Sequence, residues 1–221
     1  MGDCFKSTGK IITEERIIEP FSSLKVYNHM DVFVTYDSVY SIAVKAGENL
    51  QSLIRTEVAS NKLTLKNENK CNWVRSFKNR IEIYISTPSL SELTFYSSGN
   101  LTFENQFKSD QLYINLWESS GDLNLNVSTT ILELKSHTGT GTITCRGTSK
   151  KYVAYMGGNG FVDSKDLICE EVLAVNEDTG NLIVNAQNKL QADIRSSGNV
   201  EYYGNPTIEL NDTGKGELIK K

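Results

Sequence analysis

The chain reads as an all-β solenoid, and three observations predict it. A phrase of small or polar residues, a glycine and an alternating apolar run keeps returning, first as Ser97-Ser98-Gly99-Asn100-Leu101-Thr102-Phe103, then as Ser119-Ser120-Gly121-Asp122-Leu123-Asn124-Leu125. The glycine recurs at Gly141, Gly160, Gly180, Gly198 and Gly216, and the successive intervals are 22, 20, 19, 20, 18 and 18 residues. Self-similarity at such a period marks a stacked repeat, in which each unit buries its apolar face only against its neighbours. Composition agrees: 3 prolines and 10 tyrosines, with many Thr, Asn and Ser, suit strands better than helices.

Each repeat of about 18–22 residues has room for two short strands and two turns. After the glycine come Leu101 and Phe103, Leu123 and Leu125, Ile143 and Cys145, Leu182 and Val184, Val200 and Tyr202. A second run follows in each repeat: Leu112, Ile114 and Leu116; Leu132 and Leu134; Val153 and Tyr155; Val172 and Ala174; Leu190 and Ala192; Ile208 and Leu210. Apolar-polar alternation of this kind marks strands with one buried face. Coils of this size stack as a parallel β-helix or a close relative, spaced about 4.8 Å apart, so six intervals span about 30 Å. Parallel crossovers favour a right-handed turn.

The recurring glycine has two physical readings, a positive φ or a backbone packed against the next coil. The ladder Asn100, Asp122, Thr142, Asn181 and Asn199 beside it reads as turn chemistry, side chains bonding local backbone and the next coil.

The first half is less regular. Residues 1–10 form a polar leader, and Ile11 to Ile18 is a strand candidate closed by Glu19-Pro20. Alternating runs follow at Leu24–Tyr27, Asp31–Tyr36 and Tyr40–Ala46. Leu50, Leu53 and Ile54 show helical spacing for a turn or two, before strands at Val58 and Leu63-Thr64-Leu65. Residues 66–80 are a polar loop holding Cys71, Trp73 and Phe77; Ile81, Ile83 and Ile85 then alternate, and Leu90, Leu93 and Phe95 lead into the first glycine phrase. With no linker composition between the halves, the expectation is one stack: a leader over 1–10, a β region serving as cap over 11–95, and regular coils over 96–221. A solenoid needs such a cap, because its last coil otherwise leaves apolar side chains and strand edges open.

Composition bounds the function. A net charge of −4 argues against nucleic acid as the partner. No apolar run reaches membrane-spanning length, so no integral membrane segment is expected, and no signal-peptide pattern is present in the chain. Cys4, Cys71, Cys145 and Cys169 lack ligand spacing and His29 and His137 stand alone, so neither a metal nor a cofactor is expected. Cys145 and Cys169 read as small buried hydrophobes. Cys4 admits two readings, a disulfide with Cys71 in an exported protein or a lipid-attachment site.

Several phrases stand in an order that resembles the putative auto-transporter adhesin, head GIN domain family. They are Glu14-Glu15-Arg16 with Pro20-Phe21-Ser22-Ser23-Leu24-Lys25-Val26, then Ala46-Gly47-Glu48-Asn49-Leu50 ahead of Leu63-Thr64-Leu65, then the glycine phrases ending in Tyr202-Tyr203-Gly204-Asn205-Pro206 before Gly214-Lys215-Gly216. The resemblance runs from about Gly9 to the C-terminus. It implies a right-handed β-solenoid of an exported or surface-attached protein of Bacteroidetes-like bacteria, often a lipoprotein, with no catalytic motif to carry over. Ser97, Ser119, Asp178 and Ser196 stand where the family often has a further glycine, which Gly139, Gly158 and Gly214 keep.

Chemistry is sparse. Asp163, Asp166, Glu170 and Glu171 gather around Lys165 between two expected strands, and Glu177-Asp178 follows one phrase later. An enzyme acting on polysaccharide would need such carboxylates paired on one face; the plainer reading is a solvated acidic turn. The glycines precede strands, so no helix N-terminus is available for phosphate. Aromatic residues are the better signal. Trp117 should point opposite the inward Leu112, Ile114 and Leu116, while Trp73 lies in the polar loop and Tyr113 on a strand. Exposed rings on a flat β face suit a sugar or a protein partner. The expectation is a non-enzymatic binding or adhesion module at the cell envelope, with Trp117, Trp73 and Tyr113 as ligand contacts and a glycan or surface protein as partner. A polysaccharide-acting enzyme and a self-associating ectodomain, a homo-oligomer paired through strand edges, are the alternatives.

Overall fold

In this computed structural model the protein is described over residues 7–69 and 80–221. Cys4, Cys71, Trp73 and Phe77 fall outside the described residues. The chain forms a β-solenoid of about six turns with an irregular N-terminal part. Its strands are β1 (Ile11–Arg16), β2 (Ser23–Asn28), β3 (Asp31–Tyr36), β4 (Ser41–Gly47), β5 (Ile54–Ala59), β6 (Lys62–Asn67), β7 (Glu82–Thr87), β8 (Glu92–Ser97) and β9 (Leu101–Phe103). The regular part follows as β10 (Phe107–Leu116), β11 (Leu123–Ser136), β12 (Thr142–Met156), β13 (Phe161–Asn176), β14 (Leu182–Ile194), β15 (Val200–Tyr203), β16 (Thr207–Asp212) and β17 (Leu218–Lys220).

Two parallel sides enclose the core. One side runs β6, β2, β8, then the C-terminal halves of β10 to β14, and ends at β16. The other runs β7, β3, β9, then the N-terminal halves of β11 to β14, and ends at β15 and β17. The two runs expected per repeat are therefore often one long strand bent at a corner: Leu123 to Leu125 and Leu132 to Leu134 both lie in β11. Acidic residues 163–171 likewise lie within β13 rather than in a turn between strands.

Inward side chains line up coil over coil. Leu93, Ile114, Leu134, Ala154, Ala174 and Ala192 form one buried column. One expected register is off by a residue: in β12 the inward set is Tyr152, Ala154 and Met156, and Val153 and Tyr155 face out. A one-residue slip exchanges the two faces of a strand. The fully buried Tyr152 stands in register with Leu132 and donates or accepts a hydrogen bond with Ser164 Oγ at 2.9 Å, which makes this aromatic tolerable inside. Cys145 and Cys169 are buried as expected, and desolvation pushes both thiols up to about 12.

Close backbone approach, not a positive φ, explains the recurring glycine. A Cβ added at Gly121 would lie 1.6 Å from the carbonyl oxygen of Gly99, and one at Gly141 would lie 2.1 Å from that of Gly121. The same relation continues through Gly160, Gly180, Gly198 and Gly216, each over the previous glycine's carbonyl. Beside this spine the polar ladder is structural: Asp122 N donates to Asn100 Oδ1 at 3.0 Å, Thr142 N to Asp122 Oδ1 at 2.9 Å, and Asn199 N to Asn181 Oδ1 at 3.2 Å.

The N-terminal region departs from sequence order. The β2–β3 unit is inserted between β6–β7 and β8–β9, so Gly99 packs on the carbonyl of Met30, far back in the chain. Beyond β6–β7 the strands turn antiparallel, with β4 on β7, β1 on β4 and β5 on β6. A short 3-10 segment, Glu48–Leu53, closes this end and buries Leu50 and Gln51; it is the helical spacing expected there. Arg16 locks it, its guanidinium donating to the carbonyls of Ile54 and, at 3.0 Å, of Gln51.

Candidate binding surface

The outer face of the first side carries Tyr27, Tyr96, Tyr113 and Trp117, while Phe33 and Tyr84 stack on the other side. Alternation places Tyr113, Asn115 and Trp117 outward on and just beyond β10, with Leu112, Ile114 and Leu116 buried beneath. Parallel in-register stacking then repeats each outward position once per coil. Tyr27 pairs with Tyr96, and extending the β8–β10–β11 register by one residue puts Trp117 and His137 in the same column. The result is an axial stripe with one ring per coil.

Neighbouring rings stack on one another. Tyr27 and Tyr96 have centroids 5.2 Å apart and planes 14° apart, and Trp117 and His137 have centroids 3.8 Å apart and planes 10° apart. Tyr155, one column over, tilts against His137 at 5.6 Å. The Lys25 ammonium sits 5.0 Å from the Tyr27 centroid and 5.2 Å from that of Tyr96, a cation held over two ring faces. Trp117 keeps 38% of its surface exposed, so stacking on His137 covers part of the indole and leaves the rest to solvent.

The polar groups around the stripe are ordered. His137 Nε2 lies 3.2 Å from Asn115 Oδ1, and desolvation, then nearby Lys135, hold the imidazole below the usual histidine range. Beside indole, a neutral imidazole is therefore the ordinary state at neutral pH. Tyr155 Oη donates to Glu177 Oε2 at 2.8 Å, a bond that raises the phenol above its usual range. Glu177 and Asp193 both pair with Arg195, so the stripe passes into a charged network towards the last coils. Tyr113 is half-buried, and its hydroxyl donates to Gln111 Oε1 at 3.1 Å.

Trp117 and Tyr113 thus share one face, about 13 Å apart along the strand direction. Trp73 lies outside the described residues. Tyr27 and His137 belong to the surface and were not among the expected contacts. His137 was legible in principle, one repeat beyond Trp117; Tyr27 was not, because its place depends on the inserted β2. The acidic cluster does not converge on one point: Asp163 pairs with Lys165 at 3.1 Å, Glu171 with Lys151 at 3.8 Å, and Asp166 stays exposed. Among the described residues no group of three His, Cys, Asp or Glu is placed to hold a metal ion, and no helix is long and apolar enough to cross a membrane.

Solved structures share this architecture. A putative adhesin from Bacteroides fragilis is 24% identical, with 96% of this chain and 97% of that one covered at a TM-score of 0.87. A putative adhesin from Parabacteroides distasonis is 16% identical over 96% and 98%, with a TM-score of 0.74. A putative lipid binding protein from the same species is 20% identical over 97% and 98%, at 0.73. These likenesses establish the fold. No curated protein matches the chain. The model of one family, putative auto-transporter adhesin, head GIN domain, matches residues 20–206, and the chain belongs to that family.

Proposed function

We propose that the protein is a non-enzymatic binding module of the cell envelope, an adhesion domain that presents a rigid β face to a glycan or a surface protein. The observation that carries this reading is the aromatic stripe. Tyr27, Tyr96 and Trp117 project from the wall of a solenoid, one per coil, and Trp117 remains partly exposed on that wall. Large rings on a stiff scaffold give contact area at low entropic cost, which suits recognition of sugar rings or of a protein patch. The family description, an adhesin head, points the same way. An exported, surface-attached location accords with that role.

The test is binding of the purified chain to immobilised glycans and to envelope proteins, alongside Trp117→Ala, Tyr113→Ala and Trp73→Ala. Saturable binding that falls at least about tenfold in Trp117→Ala supports the reading. Shortening of the glycans over hours would overturn it in favour of a polysaccharide-acting enzyme. Self-association is the second reading, favoured by the last coil. There, among the described residues, β16 pairs only with β14, and Ile208 and Leu210 are 43% and 50% exposed. Equilibrium sedimentation across concentration decides between them.

A further inference from the structure

The solenoid has a concave feature away from the Trp117 face. Where the long strands bend, side chains of successive coils enclose a trough of about 730 Å³ that runs along the axis. Its floor is a column of small residues in register, with Thr129 and Ser149 buried. These floor hydroxyls are spent inside the protein: Thr129 Oγ1 donates to Ser149 Oγ at 3.0 Å, and Ser149 Oγ donates to the carbonyl of Lys151 at 2.8 Å. They hold the bend.

The walls differ. Thr148 Oγ1 reaches Ser128 Oγ only at 3.5 Å, and Thr130 offers an exposed hydroxyl with no partner among the described residues. Lys108, Asp110, Lys150 and Glu170 line the same trough, and among the described residues none of them forms an ion pair. Immediately beyond it, by contrast, Lys151 pairs with Glu171 and Lys189 with Glu209. Local irregularity aims these walls. Gly147, just before Thr148, has φ +110°, and a Cβ there would lie 2.0 Å from the Val127 carbonyl oxygen. The β13–β14 register shifts between Cys169 and Glu171, beside Glu170. Bulges of this kind redirect side chains and recur next to binding sites.

We propose that this trough is a second binding site, for an extended uncharged polyhydroxylated chain, a neutral glycan strand lying along the solenoid axis. Wall hydroxyls can both donate and accept, which matches a ligand made of hydroxyls. The two lysines and two carboxylates cancel, so the trough has no preference for a polyanion. It spans coils from Lys108 to Gln187, about 19 Å at the coil spacing, and so takes several sugars in a row. A peptide adding as a strand would need free main-chain groups at an edge, whereas side chains line this trough. The site goes beyond the adhesion reading, since it uses different residues on a different part of the coil.

The experiment is an amide NMR titration of the full chain with neutral hexasaccharides of glucose, N-acetylglucosamine, mannose and galactose, with a galacturonate hexamer as charged control. Shifts should gather at residues 108–110, 128–130 and 148–150. Thr148→Arg, at an exposed position, should weaken binding at least about tenfold, and Thr130→Val about threefold. Trp117→Ala should leave this binding unchanged, which separates failure here from failure of the aromatic face. Absence of trough shifts with all four neutral sugars at millimolar concentration overturns the proposal. So does a preference for the galacturonate hexamer, or undiminished binding by Thr148→Arg.

Discussion

The two ends of the stack meet the same physical problem in different ways. A parallel solenoid that simply stops exposes inward side chains and unpaired strand edges. At the N-terminal end the chain reverses: β4, β5 and β1 run antiparallel to the strands they cover, and Glu48–Leu53 folds over the core. Glu14 and Arg16 stand on β1 in register with the buried Val44 and Ile42, so the edge carries charges on its inward side. Inward charge of this kind discourages a further strand from adding. Among the described residues no reversed strand covers the last coil, where β16 and β17 pair parallel with β14 and β15. Ile208 and Leu210 occupy the columns of buried Leu190 and Ala192, yet remain about half exposed. Identical coil positions thus have different burial because one end is closed by changing strand direction and the other is not.

The largest expected effect lies at the seam between the two regimes. In Gly99→Ala the new methyl would sit 2.0 Å from the Met30 carbonyl oxygen and 2.7 Å from the Met30 nitrogen, and backbone cannot swing aside as a side-chain end can. Loss of about 4 kcal/mol is expected, read as a fall in the urea midpoint. Gly157→Ala is the control. Its closest neighbour is the Tyr155 hydroxyl, a side-chain end whose displacement costs its bond to Glu177 but moves no backbone, so about 1 kcal/mol should be lost. Comparable losses in the two variants would show that the glycine spine does not constrain the stack.

Breaking the closed end should cost less. Arg16→Ala removes the guanidinium bonds to the Ile54 and Gln51 carbonyls, of which Gln51 keeps the Ile54 N–H, and about 2 kcal/mol is expected. Hydrogen exchange should then accelerate in β1 and β5 and stay unchanged in β11 to β13. Uniform acceleration would mean that the cap and the stack unfold as one unit.

Leu210→Lys at the open end should change stability by no more than about 0.5 kcal/mol, because the side chain is already half exposed. A much larger loss, dependent on protein concentration, would reveal a second copy over this end and favour the self-association reading.

The smallest effect is a pH dependence on the aromatic face. Burial holds the His137 imidazole below its ordinary value, so the unfolded chain takes up a proton first as pH falls. Stability is therefore full above the ordinary histidine range and declines as pH drops through that range towards the folded value. His137→Phe should remove this part of the decline, measured as the difference in urea midpoint between about pH 7.5 and about pH 5. An unaltered decline would place its source elsewhere. A chemical check goes with it: native Cys145 and Cys169 should resist thiol reagents at about pH 8, as their buried thiols stay protonated, and react once the chain unfolds.

Legibility followed the range of the interactions. Glycine spacing identifies the coil, since a backbone stacked on a carbonyl at every turn tolerates no side chain. Alternation identifies most inward residues, and it places Trp117 and Tyr113 outward on one face. It misleads at β12, where Val153 and Tyr155 look as apolar as Tyr152, Ala154 and Met156. Only the neighbouring coils decide, because Tyr152 must stand in register with Leu132 and reach Ser164. The trough at Thr130, Thr148 and Lys150 left no motif, since Ser, Thr and Lys at a bend read as ordinary corner residues.

By itself, then, the sequence determined that this protein is a stack of coils of roughly fixed length, with small residues at each turn and a continuous apolar core. Those properties repeat locally, and local repetition is visible in one dimension. Tertiary structure alone decided that β2–β3 enters the stack out of order, that β1, β4 and β5 close one end by reversing direction, and that Tyr27, Tyr96, Trp117 and His137 share one wall. Each depends on pairing between segments distant in the chain, and the choice among such pairings is made by which one buries the core and satisfies the strand edges at once.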